Sequence, residues 1–166
     1  MQVGGNQRFT NMMPVGSVID SVFAKYIGND DLPAPTYVIP IDDTIPQITE
    51  GAALINTSIT PKSATNKLRF RFRGEACMSA ASSFTVALFV NGVANAVAAN
   101  YTTCPGASYG CTTTIEHEQV AGTTTSIAVQ VRAGPANGNM RFNGQMAGRY
   151  YGGTSATTLV IEEIVG

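Results

Sequence analysis

Three groups of residues in this chain have types and spacings that chemistry could use. Gly106-Ala107-Ser108-Tyr109-Gly110 spells the Gly-x-Ser-x-Gly letters of a hydrolase nucleophile elbow. That elbow works on a sharp strand-to-helix turn, whereas here Cys104 and Pro105 precede the letters and a threonine run follows, so the match reads as an ordinary loop. His117, the one histidine, stands between Glu116 and Glu118. On a strand both carboxylates face away from the imidazole, so the three do not converge on an ion, and their expected role is structural. His117 is also the only base that a Ser108 triad could use, and the expected strand direction gives no reason to find the two together. Asp42-Asp43, Glu116/Glu118 and Glu162-Glu163 qualify for glycoside hydrolysis only by being carboxylates. Three cysteines and one histidine do not show the spacing of a structural zinc site. A bridge from Cys104 to Cys111 is geometrically possible, but without an export signal reduced thiols are the expectation. The chain is therefore expected not to be an enzyme, with no catalytic residue, metal ligand or cofactor.

Residues that could bind are easier to find. Leu68-Arg69-Phe70-Arg71-Phe72-Arg73 alternates with period two, which aims Leu68, Phe70 and Phe72 at a core and aligns Arg69, Arg71 and Arg73 on the opposite face. Arginine is enriched in interfaces, so the row reads as a subunit or partner contact as well as a solvated face. Phe89, Tyr150 and Tyr151 are candidate aromatic anchors in the same interface.

The elements that must position these residues are short strands. Ala53–Thr60 alternates; Phe84–Val90 is apolar on both faces and runs into Asn91-Gly92, a type I′ hairpin signal, with Val93–Ala99 as the expected return strand. Tyr101–Gly110 reads as an exposed loop, Thr112–Val120 and Ser126–Arg132 as strands, Met140–Met146 as a broken strand, Gly148–Thr157 as irregular, and Thr158–Val165 as the closing strand. Turn signals every 8 to 12 residues or so, with no crossover helices, predict an all-β, antiparallel two-sheet sandwich of jelly-roll or immunoglobulin type over 45–166. The immunoglobulin option lacks its tryptophan.

Residues 1–44 read differently, as an irregular arm punctuated by Gly, Asn and Pro. Within it Val18, Ile19, Val22, Phe23 and Tyr26 share one face of a short helix predicted near 17–26, and such a stripe must dock on its own domain or on a neighbour.

Charged residues make up 13% of the 166, about half the usual share, and the formal net charge is −1. That balance offers no basic footprint for nucleic acid, and no apolar run approaches the roughly 18 residues of a membrane span. The first residues carry no secretory pattern, so a chain that is not exported is expected. So charge-poor a surface favours self-association.

The series Ile41-Asp42-Asp43-Thr44-Ile45-Pro46-Gln47-Ile48-Thr49-Glu50-Gly51, then Ile59-Thr60-Pro61-Lys62-Ser63-Ala64-Thr65-Asn66-Lys67-Leu68, resembles a family of bacteriophage virion proteins. The similarity continues through Val86-Ala87-Leu88-Phe89, Val131-Arg132-Ala133-Gly134-Pro135 and Tyr151-Gly152-Gly153 to Thr158-Leu159-Val160-Ile161-Glu162-Glu163-Ile164. The resemblance implies a homotrimeric, tumour-necrosis-factor-like jelly roll of the kind found at fibre tips and in head-decorating proteins, with structural motifs and no catalytic ones. Only about 40 residues precede the resembling region, with no heptad pattern for a stalk. The expectation is therefore a capsid decoration or cement protein on the outer head surface, whose arm contacts the major capsid protein through Val18, Ile19, Val22, Phe23 and Tyr26. The alternative is a head-fibre or tail-fibre tip whose loops 101–111 and 148–157 recognise a host surface glycan.

Overall fold

A computed structural model describes residues 13–166, and among these the regular structure is β apart from one 3-10 turn at Tyr151–Gly153. The strands are β1 (Val18–Tyr26), β2 (Leu32–Pro33), β3 (Ala52–Ile59), β4 (Lys67–Met78), β5 (Ser82–Val90) and β6 (Ala98–Cys104). They continue with β7 (Cys111–Val120), β8 (Ile127–Pro135), β9 (Asn139–Phe142), β10 (Gly144–Gln145), β11 (Gly148–Arg149) and β12 (Thr157–Ile164).

Two antiparallel sheets face each other. One runs β1-β12-β4 with β7 on the far side of β4, and β9 and β2 extend it where β12 ends; the other runs β3-β8-β5-β6. Between them lies one core in which Leu68, Phe70 and Phe72 of β4 meet Phe84, Val86 and Leu88 of β5, with Leu159, Ile161 and Phe142 beside them. The period-two reading of β4 thus holds along its length: Arg69, Arg71 and Arg73 are exposed and the residues between them buried.

The helix expected over 17–26 is instead strand β1, paired with β12 from Val18↔Ile164 to Tyr26↔Thr157. Val22, Ala24 and Tyr26 fit a two-residue period as well as they fit a helix, and they are the side chains that reach the core. Val18, Ile19 and Val22 are β-branched and lose rotamer freedom in a helix, while an open strand edge offers eight paired positions. Phe23 falls on the opposite face and is 65% exposed.

With β1 and β2 built into the sheet, the division at 44/45 does not separate an arm from a domain over residues 18–44; residues 1–12 of the expected arm lie outside the described residues. Residues 37–50 also belong to the body, because Ile39 and Ile48 cover the outer face of β5 at Ala87 and Phe89. Phe89 is therefore 1% exposed and unavailable to a partner, correcting its assignment as an interface anchor.

The hairpin after β5 is partly as expected. Asn91 (φ 61°) and Gly92 (φ 69°) take the positive φ of a type I′ turn, but the return strand starts at Ala98, so β6 covers 98–104, and 101–104 is strand and not loop. Cys104 and Cys111 are joined as a disulfide across the β6–β7 loop, with Cα atoms 6.0 Å apart, overturning the expectation of reduced thiols there. Cys77 is free and buried, and burial pushes its thiol above its ordinary pKa.

Candidate functional site

The strand registers stack the outward side chains of the first sheet into rows. Ser21, Glu162, Arg69 and Glu118 make one row across β1, β12, β4 and β7; Phe23, Val160, Arg71 and Glu116 make the next; Lys25, Thr158, Arg73 and Thr114 the third. Opposite charges directly across a sheet attract, and here they form a ladder. Arg71 reaches Glu162 at 2.7 Å, Arg69 and Lys67 reach Glu118 at 3.1 and 3.0 Å, and Arg69 stands 4.0 Å from Glu162. Bonds from Lys67 and Arg69 hold the Glu118 carboxyl below the usual carboxylate range. Pairs this exposed add little to stability, so their effect is to neutralise the first two arginines. Arg73 differs, because its cross-strand neighbours are Thr158 and Thr114 and no carboxylate among the described residues lies within ion-pair distance.

Beside Arg73 the sheet has a gap. On one flank β4 pairs with β12 as far as Arg73 and with β9 only from Ala76, leaving Gly74 and Glu75 without a strand neighbour there. A polar pocket of about 270 Å³ occupies this gap, lined by Arg73, Gly74, Glu75 and Asn143 on one side and Thr154, Ser155, Ala156 and Thr158 on the other. A Cβ at Gly74 would stand 2.9 Å from Phe142 Cε1 and 3.0 Å from Thr157 Cγ2, so a larger residue there would push these side chains aside.

Asn143 fixes the gap. It is buried with φ 59°, a left-handed value that Asn tolerates better than most residues. Its Nδ2 donates to the carbonyls of Tyr26 and Gly28 at 2.9 and 3.0 Å, its Oδ1 accepts from the Thr157 hydroxyl at 3.0 Å, and its N–H donates to the Glu75 carbonyl at 3.0 Å. The side chain thereby ties the end of β1 to the start of β12, and the backbone N–H adds β4.

Each of the two loops suspected of recognition lies beside a residue of this end, the first against Gln145 and Glu75 and the second along the pocket at Thr154. Gln145 Nε2 donates to the Ser108 carbonyl at 3.1 Å, and the Glu75 carboxylate lies against Gly110, where a Cβ would stand 2.6 Å from Oε1. Tyr150 and Tyr151, 40% and 79% exposed with ring centroids 5.9 Å apart, stand in the second loop just before Thr154.

The chain enters at the other end. Gly16 N donates to Val165 O and Val165 N to Ser17 O, both at 2.9 Å, and Lys62 Nζ bridges to Asp20 at 3.1 Å. Glu163 holds the 61–66 loop there: Oε1 accepts from the N–H groups of Lys62 (2.7 Å) and Ser63 (3.2 Å) and from Asn66 Nδ2 (2.6 Å). Nine residue steps along β4, about 30 Å, separate Lys67 at this end from Ala76 at the loop end.

The residues with suggestive chemistry are not brought together. Ser108 has φ 60° but sits in a strand-to-strand loop. His117 is six residues up β7 from Cys111, about 20 Å along the strand, stacked on Phe70 and bonded to Gln119 at 3.2 Å. Among the described residues no three His, Cys, Asp or Glu side chains group to hold a metal ion. Of the five residues assigned to capsid contact, Val22 and Tyr26 reach the core, while Val18 and Phe23 are exposed. The gap pocket and the Asn143 and Glu163 clasps are absent from the sequence reading; Asn143-Gly144 signals a turn, and nothing in a lone Glu163 signals burial.

No protein-family model matches the chain, and no curated protein sequence matches it. Among solved structures, the sugar-binding EclA C-terminal domain is 12% identical with TM-score 0.40, over 86% of this chain and 85% of that one. Eiger TNF from S. frugiperda is 12% identical with TM-score 0.39, over 91% and 89%. The enzymatically active domain of bacteriophage CBA120 tailspike protein 4 is 11% identical with TM-score 0.29, over 87% of this chain but 18% of that one. With TM-scores this low, none of these likenesses fixes the function of this chain.

Proposed function

We propose that this protein is a non-enzymatic structural component of a phage virion, a homotrimer of jelly-roll subunits. It decorates the outer surface of the head, bound to the major capsid protein by the end at which its N-terminal segment enters. The jelly-roll reading is supported by strand order. With the eight long strands counted in chain order, the sheets read 1-8-3-6 and 2-7-4-5, the order of two interlocked Greek keys.

The observation that carries the attachment reading is the polarity of the subunit. Gly16 and Ser17 meet the sheet at the end occupied by Lys62, Asp20 and Val165, about 30 Å from the loop end. Met13, Val15 and Val18 are 46%, 79% and 46% exposed, apolar surface suited to lie on a neighbour. Such a decoration adds buried area between capsomers and stabilises the assembled shell by mass action.

A second reading, recognition of a host surface glycan, is favoured by a separate observation: at the opposite end loop 148–157 lines a polar pocket through Thr154, Ser155 and Ala156, and Gly110 of the other loop lies against the Glu75 carboxylate beside it. Quantitative mass spectrometry of purified virions tests the first reading. A copy number at a fixed fraction of the major capsid protein is expected, and a number far below any lattice fraction would overturn decoration in favour of a fibre.

A further inference from the structure

We infer that the pocket in the β4 gap is a subsite for one acidic sugar, a single ring bearing a carboxylate; the inference rests on the glycan reading above and names its ligand class. Arg73 and Glu75 are two residues apart on one strand face, so their Cα atoms stand about 6.6 Å apart, and both line the same depression. Neither has an ion-pair partner among the described residues, whereas Arg69 and Arg71 are neutralised by Glu118 and Glu162. In a chain with 13% charged residues, an arginine in a recess with no carboxylate within ion-pair distance among the described residues marks a place where a ligand supplies the anion.

The lining selects the ligand. A guanidinium accepts a carboxylate in a fork of two parallel hydrogen bonds. The hydroxyls of Ser155 and Thr158 can both donate and accept, and that of Thr154, which donates to the Tyr151 carbonyl, can accept, which suits sugar hydroxyls. Glu75 can only accept when ionised, so it takes hydroxyl protons at the far side of the ring. It also disfavours a doubly charged phosphate so close, while a singly charged carboxylate held by Arg73 is tolerated. A volume of about 270 Å³ falls just below the roughly 300–1,000 Å³ of small-molecule sites, which limits the occupant to about one ring.

The test is ligand-observed and chemical-shift NMR titration of the full chain with D-glucuronate, D-glucose and L-alanine, together with binding of polysaccharide extracted from the host envelope. D-Glucuronate is expected to bind at least ten-fold tighter than D-glucose. Arg73→Gln is expected to weaken D-glucuronate at least ten-fold, Arg73→Lys less, and Lys67→Gln, the same charge removed from the far end of β4, not at all. Thr158→Val provides a second variant, expected to weaken binding without loss of charge. Equal binding of D-glucuronate by the wild type and Arg73→Gln, equal binding of D-glucose, or preference for L-alanine would overturn the subsite. Host polysaccharide still bound by Arg73→Gln would refute this subsite while leaving the glycan reading intact, whereas no binding of any saccharide by the wild type would refute both.

Discussion

Glu163 is a carboxylate at zero exposure whose Oε1 collects three N–H donors from the loop 61–66, while Oε2 has no hydrogen-bond partner among the described residues. Replacing it by alanine leaves Lys62 N, Ser63 N and Asn66 Nδ2 without their acceptor. Buried donors left unpaired cost about 1–3 kcal/mol each, less where the loop can open to water. Glu163→Ala is therefore expected to lose about 3 kcal/mol, and Glu163→Gln, which keeps an uncharged acceptor, about 1 kcal/mol. Urea unfolding at neutral pH measures both, and an alanine variant as stable as the wild type would mean that the clasp carries no stability. Tyr26 offers a pH test at the same scale. Burial, first, pushes the phenol from 10.0 up to about 12; the Asp30 N–H bond opposes this and the Asp30 carboxylate adds to it. The folded state then holds this proton when the unfolded state has released it. The contribution is complete below pH 10 and is lost as pH rises through about 12. Absorbance titration of the six tyrosines should show a late-ionising group that Tyr26→Phe abolishes. The thiols give a third check: alkylation should label none in the native protein, Cys77 after unfolding, and all three cysteines after unfolding with reduction.

At the scale of elements, strands whose two faces differ were legible and strands with a second explanation were not. β4 was readable because three arginines alternate with three large apolar residues, and no helix reproduces that separation. β1 was not, because Val22 and Tyr26 are four apart, a spacing that is even and also close to one helical turn. Only the open edge of β12, a long-range partner, decides between the two. That Phe84–Val90 is buried on both faces was legible in its apolar run, whereas the cover that Ile39 and Ile48 put over Phe89 is a tertiary fact. The motifs carrying the virion-protein resemblance do have local reasons. Arg132 donates at 2.6 Å to the carbonyls of both Glu50 and Gly51, tying β8 to the turn before β3. Gly134 lets residues 37–39 cross β8: a Cβ there would run into the Tyr37 carbonyl and lie 2.9 Å from Ile39 N. Because the obstacle is backbone, Gly134→Ala is expected to cost about 2–3 kcal/mol, measurable as a lowered Tm, whereas an alanine at open Gly92 meets no atom and is strained only by its φ of 69°.

For the whole molecule, the two ends and the outward sheet face make separate demands on an assembly. Phe23 stands in the row with Val160 and Arg71, an exposed aromatic among charges that satisfy one another within the subunit. Within one subunit Phe23→Ser changes little, about 0.5 kcal/mol or less. In a homotrimer closed through that face it removes a central anchor. Light scattering is expected to give three times the 17.4 kDa chain mass for the wild type and a lower mass for Phe23→Ser at the same micromolar concentration, with circular dichroism unchanged. Deleting residues 1–16 is the complementary change. It stops short of Ser17, whose carbonyl accepts from Val165, and leaves the β1–β12 pairing in place, so the truncated protein should keep its fold and its trimer mass. Incubated with virions stripped of the native protein, it should fail to bind while the full chain binds. Retention by the truncated form would mean that attachment uses the sheet face or the loops, and the polarity of the subunit would then have no bearing on how it meets the shell.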